Sequence, residues 1–452
     1  MSKLKILIIG AGGGREHAVG WKIAQSPRAR ELFFARGNAG TARLGTNLDI
    51  EETEISKLIE FAQKEKINLT LALSDDPLAL GVVDEFQKAN LRIWGPKKAA
   101  AQLEWSKAFS KDFMRRHNLP TAKFEIFNDF EKAKEYLTKQ TLPIVIKASG
   151  LAGGKGAVIC ETKEKAIETL EEIMIKKVFG ESGNKVVIEE FLTGPEISIH
   201  AFSDGKSYKM FPPSQDHKKI GEGDTGPNTG GMGTIAPLPF VTKELMQKIE
   251  KEIVAPTLEG MKKDGKPFMG VLYPGLMLTK EGPKILEYNA RFGDPETQTY
   301  MRLLETDLLE IIENSIDQKL DQTEIKWSNK SVCNIVLASG GYPGNYKKGK
   351  MITGVPPLLK PPASLLSGGT NLPPLIRGSR EGLEGGGGGD VIIFHAGTKV
   401  VRQDLTTNGG RVLGVSATGN SLKEALEKAY KAIKKISFEG MQYRKDIGKN
   451  AL

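Results

Sequence analysis

The 452-residue chain is 39 % hydrophobic and 26 % charged, which supports packed cores, excludes a disordered polymer and leaves room for roughly three domains. Two cysteines, Cys160 and Cys333, form neither a disulfide framework nor a Cys-x-x-Cys pair, as expected of a reducing cytoplasm, and no apolar run approaches the roughly 18 residues of a membrane span. The net charge of +9 lies wholly in the last quarter, where residues 331–452 carry 17 Lys and Arg against 8 Asp and Glu; these cations are dispersed among few aromatics, unlike the concentrated stripe of a nucleic-acid binder, which is kept as the alternative class.

Taken in chain order, KLKILII, a glycine turn with REHAVGWKIAQ, then ELFFA, INLTLAL, PLALGVVDEFQKA and LRIWG alternate β-branched runs with helical patterns. That alternation predicts a parallel, Rossmann-like α/β domain over residues 1–103. From 104 to 326, helical EWSKAFSKDFMRRH and ETKEKAIETLEEIMIKKV interleave with PIVIKA, GAVIC, GVLYPGLML and KILEYN, which predicts an α+β region with antiparallel sheets. Within it, about 122–193 reads as a smaller lid subdomain. Residues 327–452 add VCNIVLAS, DVIIFHAG, RVLGVSA and a helix from Ser421, read as a C-terminal domain with a mixed sheet. Between those strands, about 356–390 carries three Pro-Pro pairs and five glycines from Gly385 to Gly389, a linker composition.

The glycines cluster. Gly10 to Gly14 follow a strand and open a helix with Arg15, Glu16 and His17, where unpaired backbone N–H groups and the helix dipole favour an anion. A tight strand-to-helix turn accounts for the same residues. No acidic residue ends the second strand as a dinucleotide site requires; a second small-residue loop, Arg36 to Thr41 with Asn38 and Gly40, stands there, and two such loops suit a phosphorylated sugar better than NAD. A third cluster, Gly150 to Gly156, holds Lys155 but lacks the Lys-Ser/Thr pair of a Walker loop. Just before it, Lys147 interrupts the apolar run PIVIKAS, where an unpaired ammonium is costly, so a phosphate or a carboxylate must compensate it. The fourth runs from Asp216-His217-Lys218 through Thr225, Asn228 and Gly230 to Gly233, read as a long functional loop without secondary structure of its own, in which His217 has a positioning role.

Carboxylates complete the pattern. In KILEYNARFGDPETQ, alternation places Glu287 and Asn289 on one strand face, two oxygen donors suited to magnesium when substrate phosphates fill the remaining positions. Arg291 continues that side and is placed to balance phosphate charge, and the turn Asp294-Pro295-Glu296 follows. Upstream, VVIEEFL is apolar except for Glu189 and Glu190, as in a hinge whose backbone reads a base, or simply a pair of surface acids.

GGREHA, RGNAGT, QLEWSKAFSKDF, PIVIKASGLAGGKGA, VVIEEF, SQDHKKIGEGDTGPNTGGMG, GVLYPGLM, LEYNARFGDPETQ, HAGT, TNGGRVL and RKDIG occur in the order found in the phosphoribosylamine–glycine ligases, which this chain resembles from about Lys5 to Gly448. The resemblance implies an ATP-grasp architecture and ATP-dependent joining of glycine to 5-phosphoribosylamine through glycyl phosphate, the second step of purine synthesis, by a monomer or homodimer that binds neither nucleic acid nor membrane. Another ATP-grasp carboxylate–amine ligase or carboxylase is the alternative within the fold. By the same resemblance Lys107, Lys147 and Lys155 hold ATP phosphates, Glu189, Glu190, Phe191 and Leu192 read adenine, and Glu196 faces the ribose. Glu287 and Asn289 then hold Mg2+ or Mn2+, and Arg291, Asp216 and Lys218 serve the chemistry. Gly13, Gly14, Arg15, Glu16, Asn38, Gly40, Thr41, Asp75, Asp294, Pro295 and Glu296 hold the phosphoribosylamine, with His217, Thr225, Asn228 and Gly230 helping to place glycine and the acyl phosphate. Four departures from the usual pattern, an extra residue in the first loop GAGGGREHA, Ser74-Asp75 for Pro-Glu, Ser149 for Asp and a longer Pro/Gly-rich stretch from about Leu358 to Asp390, are expected to alter affinity or loop order rather than reaction class.

Overall fold

The computed structural model describes residues 3–152, 156–355 and 389–452. The expectations for Lys155 and for most of the Pro/Gly-rich stretch fall outside the described residues.

The N-terminal alternation builds a five-stranded parallel sheet in the order Thr46–Leu48, Ala29–Ala35, Leu4–Ile9, Leu69–Ala72, Ile93–Trp94. The period of two divides Leu4–Ile9 between two cores. Leu7 and Ile9 pack with Leu58, Ala62, Val83 and Phe86, whereas Ile6 and Ile8 pack with Val19, Ile23 and Phe34 and continue into Phe202, Val271, Leu308 and Ile311 of the central region. Each such side chain contributes about 1.5–3 kcal/mol on burial. Strand order reverses direction about Leu4–Ile9, so the glycine turn after it opens into the crevice at the strand C-termini, where ligands of such sheets bind.

Two further sheets follow. Phe124–Phe127, Val186–Glu190, Ile144–Ala148 and Ala157–Cys160 form an antiparallel sheet under helices Phe130–Thr138 and Lys163–Leu170, with a separate core around Ile146, Leu170 and Ile188. The other sheet pairs the long strand Met269–Thr279 with Glu196–Ser198, Ala201–Asp204 and Gly282–Asn289.

The C-terminal sheet differs from expectation twice. All its described pairings are antiparallel rather than mixed, and two of its strands, Gln215–Asp216 and Gly233–Ala236, come from the middle of the chain to meet Ser331–Ala338, Arg411–Gly419 and Val391–His395. The segment read as a long loop is therefore structured: strands at its two ends enter this sheet, and Lys219–Gly221 with Thr225–Asn228 forms a hairpin between them. Among the described residues no helix is long and apolar enough to cross a membrane.

Candidate active site

Helix Lys107–Arg116 starts on a double cap. Ser106 Oγ accepts from Phe109 N, and Ser149 accepts from Lys107 N through its carbonyl and from Ala108 N through Oγ at 3.0 Å. Lys107 and Lys111, one helical turn apart, both point at carboxylates. Lys107 Nζ meets Glu287 Oε2 at 3.0 Å, and Lys111 Nζ meets Glu189 Oε2 at 2.6 Å. Val145 lies opposite Glu189 across the sheet, so Lys147, two residues on, is the diagonal neighbour of Glu189 on the same face. It pairs with Glu189 Oε1 and donates to the Leu286 carbonyl at 3.1 Å. The apolar run thus compensates its lysine with a carboxylate. Burial lowers the Lys111 ammonium to about 8, against the pull of Glu189; it also acts on Glu189, whose carboxyl Lys147 and Lys111 nevertheless hold below its usual range.

Because Glu189 is only 3 % exposed and bridges two lysines, Glu189→Gln should leave two buried cations without a counter-charge. It is expected to destabilise the protein by about 3–5 kcal/mol, read as a lower midpoint in urea with unchanged slope. The adjoining Glu190 instead accepts from Lys123 N at 2.9 Å at the strand end, after which Phe191 is exposed and Leu192 buried.

Strand Gly282–Asn289 carries Glu287 and Asn289 on one face and leads into Arg291. Burial alone would raise the Glu287 carboxyl, but Lys107 outweighs it and holds it at about 2, so Glu287 is an anion with 40 % of its side-chain surface open. Arg291 Nη2 donates to Asn289 Oδ1 at 3.2 Å and pairs with Glu104 Oε1 at 2.8 Å; Glu104 Oε2 accepts from Ala290 N at 2.8 Å. Glu104 therefore fixes both the guanidinium and the backbone beside it. Burial pushes the Glu104 carboxyl up, and Arg291 opposes it. Asp75, at the start of helix Asp75–Leu80, adds negative charge felt by Glu104 and Arg291. Glu104 and Lys111 join the residues expected here; the spacing of one helical turn from Lys107 marks Lys111, whereas nothing local marks Glu104.

Asp216 pairs with Lys218 Nζ at 2.9 Å, and burial raises its carboxyl to about 7 against the pull of Lys218. Gly231 passes so close, at φ +113°, that a Cβ there would lie 2.5 Å from Asp216 Oδ1. Glu296 accepts from Tyr273 Oη at 2.5 Å and from Ser198 Oγ at 3.1 Å, beside the buried Tyr300 and His200. Burial raises the Glu196 carboxyl, opposed by Lys218 and reinforced by Glu287, so these three groups share one field.

Several residues expected at the substrates make hydrogen bonds within the protein. His217 is committed to backbone at both ring nitrogens: Nδ1 pairs with Gly233 O at 3.0 Å and Nε2 accepts from Gly448 N at 3.1 Å. Asn38 donates to the carbonyls of Gly12, Gly13 and His395 and accepts from Gly40 N and Thr41 N, while Thr41 Oγ1 donates to Asn38 O or Asn47 Oδ1 and is fully buried. These contacts build the loops on which the side chains sit. Gly40 packs where a Cβ would lie 2.3 Å from the His17 ring. Thr225 and Asn228 sit on the exposed hairpin. Gly13, Gly14, Arg15 and Glu16 lie against the segment that carries Phe292, Asp294 and Gln298. Gly13 N donates to Glu16 Oε2 at 2.7 Å, Arg15 pairs with Glu16 and donates to Phe292 O, and a Cβ on Gly13 would be 2.7 Å from Asp294 Oδ2. Arg411 ties Asp294 to the Gly230 carbonyl, and Pro295 O accepts from Thr234 Oγ1.

Models of phosphoribosylglycinamide synthetase match three stretches: the N domain over residues 4–104, the ATP-grasp (A) domain over 105–297 and the C domain over 374–450. The phosphoribosylamine–glycine ligase of Vibrio vulnificus is 47 % identical over 452 residues, 99 % of each chain, and that of Chlorobaculum tepidum is 44 % identical over 453 residues, 99 % of this chain and 100 % of its own. The crystal structure of the Thermotoga maritima phosphoribosylamine–glycine ligase superposes with a TM-score of 0.78 at 35 % identity over 98 % of this chain and 100 % of that one. A Campylobacter jejuni biotin carboxylase shares the fold at a TM-score of 0.71 with 14 % identity, over 98 % of this chain and 93 % of its own, a likeness of architecture alone. With its N, ATP-grasp and C domains in order and close relatives matching end to end, the chain belongs to the phosphoribosylglycinamide synthetase family, the ATP-dependent ligases that join glycine to phosphoribosylamine.

Proposed function

We propose that ATP lies between the two central sheets, its phosphates met by Lys107, Lys147 and, on the sequence pattern, Lys155. Backbone beyond Glu190 takes the adenine and Glu196 faces the ribose. The observation that carries this reading is the convergence at one strand end: Lys147 reaches Leu286 O, one residue before the Glu287 carboxylate that receives Lys107. Handing these lysines from carboxylates to phosphates replaces one anionic partner by another without stranding a charge.

Glu287 and Asn289 offer one carboxylate and one amide oxygen, and among the described residues no group of three Asp, Glu, His or Cys side chains is arranged to hold a metal alone. That donor set fits Mg2+ or Mn2+ shared with phosphate oxygens and water. A metal held there supplies charge neutralisation on the phosphates.

The glycine carboxylate attacks the γ-phosphorus, forming glycyl phosphate as the bond to ADP breaks. The amine of phosphoribosylamine then attacks the acyl carbon, phosphate leaves and a proton is released as the amide forms. Neither step needs a protein nucleophile; positioning and charge stabilisation carry them. Arg291 neutralises the transferring phosphoryl group, and Lys218, oriented by Asp216, steadies the acyl phosphate. Gly13 to Glu16, Asp75 and Asp294 to Glu296 surround the phosphoribosylamine. Two buried free thiols, Cys160 and Cys333, accord with a cytoplasmic enzyme of small molecules.

With ATP, magnesium and glycine present, sustained phosphate release should appear on adding phosphoribosylamine and should not be replaced by bicarbonate or other amino acids. Equal turnover with bicarbonate would sink the substrate assignment.

A further inference from the structure

The segment RKDIG near the end of the chain takes no part in the chemistry above, yet Arg444, Lys445 and Asp446 all reach the hairpin beside Asp216 and Lys218. Arg444, only 2 % exposed, is fixed by a two-pronged pair to Asp446, Nε to Oδ1 and Nη2 to Oδ2, each 2.8 Å. That leaves Nη1 for the hairpin: it donates to Lys219 O at 3.1 Å and to Asp224 Oδ1 at 2.7 Å. Asp446 Oδ2 also accepts from Gly223 N at 2.8 Å, in the hairpin turn. Four residues past Arg444, Gly448 N donates to His217 Nε2 at 3.1 Å. The clasp has its own footing, because Tyr430 on helix Leu422–Ile433 donates to Arg444 O at 3.0 Å.

Lys218 is thereby flanked on both sides by anchored residues, His217 through its ring and Lys219 through its carbonyl. A two-stranded hairpin is marginal in water on its own, and one strand of this one, Thr225–Asn228, is exposed along its length. Its placement therefore depends on partners outside it. A planar guanidinium already locked by a carboxylate is suited to that task, since little freedom remains to be lost when it holds a second group.

We propose that Arg444 is a positioning residue for the ligation: through the hairpin it holds Lys218, and with it Asp216, where glycine and the acyl phosphate are handled. This rests on the reading that Asp216 and Lys218 face those substrates.

The test uses the full-length protein with Arg444→Ala, Arg444→Lys, Asp224→Ala and, for the underlying reading, Asp216→Asn, measuring kcat, the KM of each substrate and Tm. The expected result for Arg444→Ala is a rise of about tenfold in KM for glycine and phosphoribosylamine with KM for ATP within about twofold, below the roughly 10²-fold cost of a 1 Å misplacement at the reacting atoms. Arg444→Lys should fall between Ala and wild type, because it restores the charge without the fork. Asp224 has 57 % of its side-chain surface exposed, so Asp224→Ala keeps the fold and should move the same two KM values in the same direction by less. A lowered Tm with all KM values unchanged, or an equal rise in KM for ATP, overturns the positioning role. Impaired Asp216→Asn beside wild-type kinetics in the Arg444 and Asp224 variants defeats the clasp alone; wild-type Asp216→Asn removes the reading beneath it.

Discussion

Arg291→Ala is expected to lower kcat by about 10³-fold while leaving ATP affinity within a few-fold, the behaviour of a cation whose interaction strengthens as charge develops on a transferring phosphoryl group. The expectation comes from how the side chain is held. One guanidinium nitrogen, Nη2, is shared between Glu104 at 2.8 Å and Asn289 at 3.2 Å, so the group is fixed before substrate arrives. Burial alone would lower its pKa, but Glu104 more than offsets this, and the charge is permanent. Removing it also leaves the Glu104 carboxylate, 8 % exposed, without its cation, a loss of stability of about 3–5 kcal/mol. The paired variant Arg291→Ala/Glu104→Gln separates the two effects: it should recover the melting temperature but not the rate. Single-turnover phosphate transfer at saturating ATP and glycine is the measurement. A wild-type rate in the alanine variant would refute the role given to Arg291.

How much of this was readable in advance depended on range. The parallel N-terminal sheet followed from local alternation, and Glu287, Asn289 and Arg291 from the period of a single strand. Lys147 was legible as a problem, a lysine in an apolar run, but its solution in Glu189 depended on a strand pairing across some forty residues. Small polar residues in a glycine loop suit either a ligand or the loop itself, and the Asn38-x-x-Thr41 spacing closes the turn, a contact that the loop sequence does not announce. His217 depended on an amide more than two hundred residues away. The basic last quarter also changed meaning. Its Arg411 and Arg444 are paired with Asp294, Asp224 and Asp446 at the edges of the site.

Glu287→Gln preserves shape and deletes one charge, so it isolates what the carboxylate contributes. It is expected to lower kcat by about 10²–10³-fold and to shift the magnesium dependence to higher concentration, since a neutral amide is a poorer ligand for a hard dication. Lys107 would lose its partner at the same time, and because 40 % of the Glu287 side-chain surface is open the loss at neutral pH should be modest, about 1 kcal/mol, which sets the size of the melting-temperature gap. The acid limb gives an independent check. Lys107 holds the folded Glu287 carboxyl at about 2, below its ordinary 4.5. A depressed carboxyl adds stability that is fully present above the unfolded value and fades as pH falls toward the folded one. The wild-type melting temperature should therefore fall toward that of Glu287→Gln between about pH 4.5 and pH 2, with the gap between them constant from pH 5 to 8. A gap that persists undiminished to pH 2 would show that the Lys107 contact does not hold the carboxylate ionised. Unaltered magnesium dependence in the variant would remove Glu287 from the metal site whatever the melting curves show.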